Sequence, residues 1–361
     1  MIKLLLRYLA AEIALCTGFA LLAFTGLFVF FDLLGDLGNI GKGAYRFIDV
    51  VIYVLFSMPG HVYELLPVAT LIGGIFAIST LAANSELTVM RASGVSILRL
   101  TGWLASIGVV FALLTAVIGE YIGPAASKAG NRYRVQATKE VLVGDFQSGI
   151  WVKDGKQIAN ISAMNPDMTL DKLRIYEFAE SQRLARIIDA RGAQFDEARR
   201  DWALRGSTVT DFPADQTRVA VSAVDELHWK TSVNPDMLAV LMVKPQDMSM
   251  RALARYIGHL RDNAQDTARY ELALWTKIFY PVACISMMLI ALPFALLQRR
   301  SGNVGIRVFL GILLGVGFNF LSQVMGHLGA LYRLPPPLAA GLPTLLLISL
   351  AAVVLWRQEK Q

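Results

Sequence analysis

The sequence predicts a membrane α-helical protein with an all-β domain inserted between two sets of three transmembrane helices. Charge segregation is the first sign. Of 34 basic and 28 acidic side chains, 21 and 19 lie between Pro124 and Arg269, and the other 215 residues hold only 22. Roughly 27% charged suits a water-soluble domain, whereas sparsely charged flanks suit lipid, where an ion at bilayer depth costs several kcal/mol. Six apolar runs are the second sign, each close to or above the about 20 residues that cross a bilayer. The third is a stretch from Gly144 to Lys230 in which apolar residues alternate with a period near two between turn signals, as antiparallel strands do. A mean hydropathy of +0.50 with 17% charged residues excludes a single soluble enzyme.

Taken in order, Lys3 and Arg7 precede an apolar run, Leu9 to Phe31. That run is too long for a signal peptide and lacks a small-residue cleavage site, so it reads as a retained span. The second run, Val50 to Leu81, exceeds what a bilayer needs and contains Pro59 and Pro67, so part of it is expected to be a kinked or interfacial lead-in. Leu100 to Ile122 is the third. In the inserted domain the strand runs include Leu173, Ile175 and Phe178, then Ile187-Ile188, Trp202-Ala203-Leu204 and Arg218-Val219-Ala220-Val221. Asp154-Gly155, Asn165-Pro166, Arg191-Gly192, Phe212-Pro213 and Asn234-Pro235 punctuate them. The expected product is a β-sandwich or jelly roll. Ser249 is placed to cap a helix over Met250 to Arg261. Leu272 to Leu297, Val308 to Met325 and Leu338 to Trp356 complete the spans. The domain expectation is therefore 1–123, 124–269 and 270–361, with no sequence repeat between the two halves.

Basic residues set the orientation. With the N-terminus in the cytoplasm, Lys3, Arg7, Arg91, Arg99, Arg299, Arg300, Arg307, Arg357 and Lys360 lie inside, and only Lys42, Arg46 and Arg333 fall in short outside loops. Both termini are then cytoplasmic and the inserted domain lies across the membrane, in the periplasm of a Gram-negative cell. The net charge of +6 flanks apolar runs, so it does not point to nucleic acid. Cys16 and Cys284 both lie in apolar stretches, which leaves no disulfide framework or thiolate zinc site. Neither Gly41-Lys42 nor Gly155-Lys156 sits in a phosphate-binding Gly-x-x-x-x-Gly-Lys-Ser/Thr loop, so ATP hydrolysis belongs elsewhere. His61-Val62-Tyr63-Glu64 is not a metal motif and reads as a polar helix face at the interface.

The segment Asn84 to Gly94 is more informative. Ser85 can cap a short helix with Glu86 in its first turn and Leu87, Met90 and Arg91 at helical spacing, ended by Gly94. Such a helix between two spans either docks into a cytoplasmic partner or is a plain interfacial turn. Together with Arg7-Tyr8-Leu9, Ser85 to Gly94, Gly149 to Gly155 and Tyr270 to Phe279, the chain resembles the lipopolysaccharide export permeases of the LptF/LptG family, over essentially its whole length. The Trp-x-Lys-Asp-Gly and Trp-x-Lys-Ile-Phe elements lean to the LptG side of that family.

The resemblance implies six transmembrane helices with a periplasmic β-jellyroll between the third and fourth. It also implies partners: a homologous LptF-like permease, an LptB-like ATPase dimer that binds the ATP and magnesium, an LptC-like membrane protein and an LptA-like periplasmic bridge. The cargo implied is lipopolysaccharide, and this chain itself needs no cofactor. By match to the family loop, Glu86 is the coupling carboxylate that enters the ATPase groove, with Leu87, Met90 and Arg91 beside it.

Phosphorylated sugars above acyl chains call for cations at the periplasmic interface over an apolar wall. Lys42 and Arg46 follow the first span, and Arg132 and Arg134 follow the third. Arginine's planar fork suits phosphate, and Arg134 matches a basic position of the family. Each of these is also what a snorkelling interface cation would be. In the family the first and fifth helices line the cavity, which would turn Phe24, Leu27, Phe28 and Phe31, with Phe309, Leu313, Phe318 and Phe320, towards acyl chains or the partner. Ordinary lipid-facing packing is the alternative. Gly311, Gly315 and Gly317 support close helix approach on the fifth span. Two rival functions share much of this layout: a permease for another lipid or lipoprotein, and a membrane-anchored structural or sensory protein.

Overall fold

The computed structural model describes residues 2–138, 149–165, 168–181, 183–213, 218–235, 237–238, 244–296 and 304–359. Arg299, Arg300, Lys360, Pro166, Leu297 and the start of the expected strand region at Gly144 lie outside these residues. Among the described residues six helices are long and apolar enough to cross a membrane, three on each side of the β domain.

The first span is α1 (Ile2–Asp36) and the second is α2 (Phe47–Ala83). A short helix, α3 (Glu86–Ala92), lies between α2 and α4 (Ile97–Val117). A π-helical turn, Ile118–Ile122, joins α4 to α5 (Gly123–Thr138), so the third span runs on past Pro124 into the region assigned to the β domain. After the sheet come α6 (Met250–Asp262), α7 (Ala268–Leu296), α8 (Val304–Tyr332) and α9 (Pro336–Glu359).

The expected lead-in to the second span is not a separate piece: α2 is one helix that contains both Pro59 and Pro67. Proline is tolerated at this depth because neighbouring helices satisfy the backbone groups it frees. Pro67 has no amide for the Tyr63 carbonyl, and beside it Tyr280 Oη of α7 donates to the Glu64 carbonyl at 2.5 Å. In their most apolar windows 83% of α2 is buried against 17% for each of α1 and α8, so α2 is the axis of the helical domain and those two form its rim. Two glycines of α8 set one of the contacts on α2. A Cβ on Gly311 would lie 2.7 Å from Ile75 Cδ1, and one on Gly315 would lie 2.5 Å from Val68 Cγ1. Gly317 faces open space and takes no part.

Strands β1 (Ile150–Asp154), β2 (Gln157–Met164), β3 (Leu170–Phe178), β4 (Leu184–Asp196), β5 (Asp201–Asp211) and β6 (Ala220–Trp229) form one antiparallel sheet in sequence order. Alternation decides the buried face: Ile150, Val152, Ile161, Leu173, Ile175, Ile188, Trp202 and Leu204 share one core with Trp229 and Val233. Register shifts at Glu177/Phe178, near the end of the third strand.

Two sequence expectations differ from the structure. Arg191-Gly192 is not a turn but lies inside β4, with Gly192 paired to Asp171 and Arg205. The run Arg218 to Val221 is only partly strand: β6 begins at Ala220, and Val219 and Val221 are exposed. The far end of β6 does reach back across the sheet. Trp229 Nε1 donates to Gln157 Oε1 at 2.7 Å, while Asp154 accepts from Thr231 Oγ1 at 2.6 Å and from the Ser232 amide at 2.7 Å and hydroxyl at 2.8 Å. The sheet is therefore curled enough for its first hairpin and last strand to meet at one end.

The curled sheet is seated on α6. The Gly155 amide in the first hairpin donates to Asn263 Oδ1 at 2.6 Å, just past the end of α6. Ser249 caps α6 as expected, accepting from the Ala252 amide. Leu253, Tyr256 and Leu260 of α6 pack with Ala273 and Leu274 at the start of α7. At the other end of α6, Glu120 of the π turn accepts the Met250 amide at 2.6 Å, and Lys277 of α7 donates to the Gly119 carbonyl at 3.0 Å.

Burial alone would raise the pKa of Asp154, but hydrogen bonds from Thr231 and Ser232 and the nearby His259 hold it below the usual 3.8. A carboxylate depressed on folding stabilises the native state fully above its unfolded value and loses that contribution as pH falls through the folded one. Asp154→Ala is expected to cost the β domain about 2 kcal/mol through the lost charge-assisted bonds. Tryptophan fluorescence against pH should show the wild type losing stability as pH falls below about 3.8, the unfolded value, with that step absent in the variant.

Candidate functional site

Two places in the chain gather the residues that the sequence singles out: the cytoplasmic turn around α3 and the periplasmic mouth between α1, α2 and α5. At the first, α3 follows Ser85, which adopts a left-handed conformation at φ 65° and makes no side-chain cap bond, contrary to the expected serine cap. Glu86 is instead held from outside the helix. It accepts from Tyr8 Oη of α1 at 2.9 Å and from Asn84 Nδ2 at 3.4 Å.

The end of α3 is as expected. Gly94, at φ 93°, sends its amide to the Arg91 carbonyl, and the Val95 amide returns to the Met90 carbonyl. This paired closure needs a left-handed residue, which glycine adopts without steric cost.

The four residues assigned to coupling divide into two groups. Leu87 and Met90 are buried, 4% and 6% exposed, and Leu87 packs in the core that contains Leu9, Ile13 and Leu100. They therefore anchor α3 to the spans and are not free to enter a partner groove as placed here. Glu86 stays half-buried at the rim and Arg91 is exposed. The outward face also carries Thr88 and Val89, the latter 67% exposed, which the sequence reading did not select. Seven residues are too few for periodicity to tell the two faces apart, since both carry apolar side chains.

At the periplasmic mouth the loop after α1 is tied to the end of α5: the Ala44 amide donates to the Ala137 carbonyl at 2.9 Å. This brings Lys42 and Arg46 to the helix that carries Arg132 and Arg134. Arg134 is committed to its own chain. Its guanidinium lies 3.2 Å from Asp36, bonds Tyr53 Oη at 3.4 Å and sits over the Tyr53 ring. Asp36 in turn is bonded by Asn39 and by the buried Tyr45. Tyr133 donates to Asp49 at 2.5 Å, and the Arg46 amide donates to the same carboxylate. Lys42 bonds Asn39, and Arg132 is exposed with no ion pair among the described residues. Nothing in the sequence shows that Asp36 faces Arg134.

The aromatic residues also divide. On α1, Phe24, Leu27, Phe28 and Phe31 share one face, and Leu27, Phe28 and Phe31 are exposed. Phe28 lies 5.3 Å from the His61 ring, whose Nε2 is 2.5 Å from Asp32. His61 thus belongs to a pair between α1 and α2, and among the described residues no group of three or more His, Cys, Asp or Glu could hold a metal. On α8, Phe309, Leu313 and Phe320 form one exposed face, but Phe318 is 4% exposed and packs on Tyr280. Nine residues at about 100° each place Phe318 opposite Phe309, so it belongs to the core and leaves the proposed lining set.

Six spans in two groups of three, a β domain on the outer side and a short helix wedged between the second and third spans define the membrane subunit of a transport machine. The whole chain carries that design: the family described as lipopolysaccharide export system permease LptF/LptG matches residues 7–357, and the chain belongs to it. It is similar to the lipopolysaccharide export system permease protein LptG of Escherichia coli (strain K12), 33% identical over 341 residues that cover 94% of both chains. The protein of that name from Haemophilus influenzae is 29% identical over 356 residues, 99% of this chain and 98% of its own. The chain is a multi-pass inner-membrane permease subunit of the lipopolysaccharide export machinery, with its β domain in the periplasm.

The two arginines separate in a stability measurement. Arg134→Ala, which leaves the buried Asp36 without its cation, is expected to lower stability by about 3 kcal/mol. Arg132→Ala should change it by less than about 0.5 kcal/mol. Thermal unfolding in detergent checks both.

Proposed function

We propose that this subunit pairs with a homologous six-span permease around a lipid cavity and is driven by a partner ATPase dimer that engages the outward face of α3. The observation that carries this reading is the build of α3. Two buried side chains, Leu87 and Met90, lock it to the spans, while Glu86, Val89 and Arg91 are presented at the surface beside the start of the third span. A helix fixed on one side and bare on the other transmits displacement, whereas a flexible turn would absorb it. Closure of the ATPase dimer would then push α3 together with α2 and α4 and narrow the cavity.

In this reading the chain works in three parts: 1–123 and 270–361 form half of the cavity, and 124–269 forms the periplasmic receiver. The curled sheet serves as the family's jellyroll, with its two ends held together through Asp154 in support. Lipopolysaccharide enters from the outer leaflet, its phosphates met by Lys42, Arg46 and Arg132, with Arg134 setting the shape of the loop that carries the first two. Its acyl chains lie against Phe24, Leu27, Phe28 and Phe31 and against Phe309, Leu313 and Phe320, which the 17% burial of the two rim helices leaves uncovered by this chain. Cargo passes upward to an LptC-like membrane protein and an LptA-like bridge.

Affinity purification from native membranes tests the coupling. Glu86→Ala and Val89→Asp should reduce copurified ATPase about tenfold, the effect of about 1.4 kcal/mol, with insertion of the chain unchanged. Leu87→Ala should instead lower the stability of the chain by about 3 kcal/mol. Full ATPase recovery and normal export in the two surface variants would overturn the reading. For cargo, the triple change of Lys42, Arg46 and Arg132 to Glu should reduce crosslinking of lipopolysaccharide at the mouth, and unchanged crosslinking would remove these residues from the site.

A further inference from the structure

The π turn at the periplasmic end of the third span has no counterpart among the motifs read from the sequence, and three other elements, α2, α6 and α7, converge on it. Glu120 Oε2 accepts the Met250 amide at 2.6 Å, and Oε1 lies 3.4 Å from the Arg251 amide and 3.9 Å from its guanidinium. The carboxylate is only 9% exposed. One residue earlier, the Gly119 carbonyl accepts from Lys277 Nζ of α7, and the ammonium also lies 5.1 Å from the centre of the Tyr63 ring of α2. Gly119 cannot carry a side chain here, because a Cβ would lie 2.4 Å from that same ring. A π turn is rare and shifts the carbonyls that follow it off the α-helical ladder. In this chain it puts Gly119 towards α7 and Glu120 towards the first turn of α6.

Helix α6 is what the β domain stands on. Its first turn is held by Glu120, its body packs on the start of α7, and Asn263 past its end takes the Gly155 amide of the first hairpin. Apolar packing and the Arg261–Glu271 ion pair thus hold the body of α6 to α7, while its two ends are pinned by one carboxylate and one carboxamide.

We infer that Glu120 is a positioning residue for export: it fixes the first turn of α6 on the third span and so sets the β domain over the mouth where cargo leaves the membrane. The inference rests on the reading of the β domain as the receiver of cargo. It does not require that ATPase closure move the spans.

Two variants remove the same bond from opposite sides. Glu120→Ala deletes the acceptor. Met250→Pro deletes the donor at the first position of α6, where proline is well accommodated, and Ser249 already has the extended backbone, φ −70° and ψ 155°, that a residue before proline prefers. Glu120→Gln keeps an acceptor oxygen. The experiment places spin labels at Leu113 of the third span and Val221 of the sheet, both exposed, in a Cys16→Ser background with the complete transporter in nanodiscs. Export is scored as lipopolysaccharide reaching the outer membrane in cells depleted of their own permease.

The wild type should give a narrow distance distribution. Glu120→Ala and Met250→Pro should each broaden it and cut export about tenfold while ATP hydrolysis stays within about twofold of wild type, and Glu120→Gln should restore most of both. Unchanged width and export in both Glu120→Ala and Met250→Pro would overturn the inference. Broadening with normal export would also overturn it, by showing that the orientation held by Glu120 is not used. Loss of nucleotide-dependent movement in the wild type, with the variants still broad and defective, would retire the ATPase-driven closure and leave the inference standing.

Discussion

Close approach of helices to α2 is the constraint on which the rest of this structure depends. Lipid tails are as apolar as leucine, so nothing squeezes helices together in a bilayer except the contacts they make, and small residues let backbones come close enough to make many. Here the small residues sit on both sides of the contacts. Gly73 of α2 meets Thr17 of α1, Gly74 meets Met288 and Ala291 of α7, and Gly108 of α4 meets the Ile285 backbone of α7. Two helices, α2 and α7, thereby form a core on which the others are hung, and that core holds the polar residues of the mouth in register.

The consequence is an asymmetric subunit. Where α2 is enclosed, α1 and α8 each touch it along one side and leave the other bare. The bare sides carry large apolar residues in stripes, Leu15, Phe19 and Leu22 on α1 and Phe309, Leu313 and Phe320 on α8. A membrane protein leaves such stripes to lipid or to a second subunit. The polar devices are placed with equal economy: Asp36 binds Arg134 across the mouth, and Asp154 binds the last strand to the first hairpin.

Much of this was legible in the sequence because it rests on period and composition. Six spans, their 3+3 division, the antiparallel β insert, the Ser249 cap and the Gly94 stop all follow from local patterns, although the third span runs 16 residues past its expected end, from Ile122 to Thr138. What could not be read depends on which residues face each other across long separations. Leu87 and Met90 have the same apolar character as Val89, and only the packing of α3 on α1 and α4 distinguishes anchor from surface. Phe318 looks like its neighbours Phe309 and Phe320 until the helix is oriented. Arg191-Gly192 has turn composition but lies in a long strand, because the pairing of β4 on both sides outweighs a local preference. The π turn has no composition signal at all, since it arises from Tyr63, Lys277 and α6 meeting the third span at one place.

The strand order of the periplasmic sheet bears on how the domain is made. Every strand pairs with its neighbour in sequence, so each hairpin can zip as soon as it emerges from the membrane, and loop closure costs little at any step. The ties from the end of the last strand to the first hairpin are different: Trp229 meets Gln157, and Asp154 meets Thr231 and, across 78 residues, Ser232, and none of these can form until the last strand has been delivered. Vectorial emergence therefore builds an open ribbon first and a curled domain last. The final ties serve as a check on completeness, because a chain stalled before Trp229 would leave its first hairpin unfastened and its sheet unseated from α6.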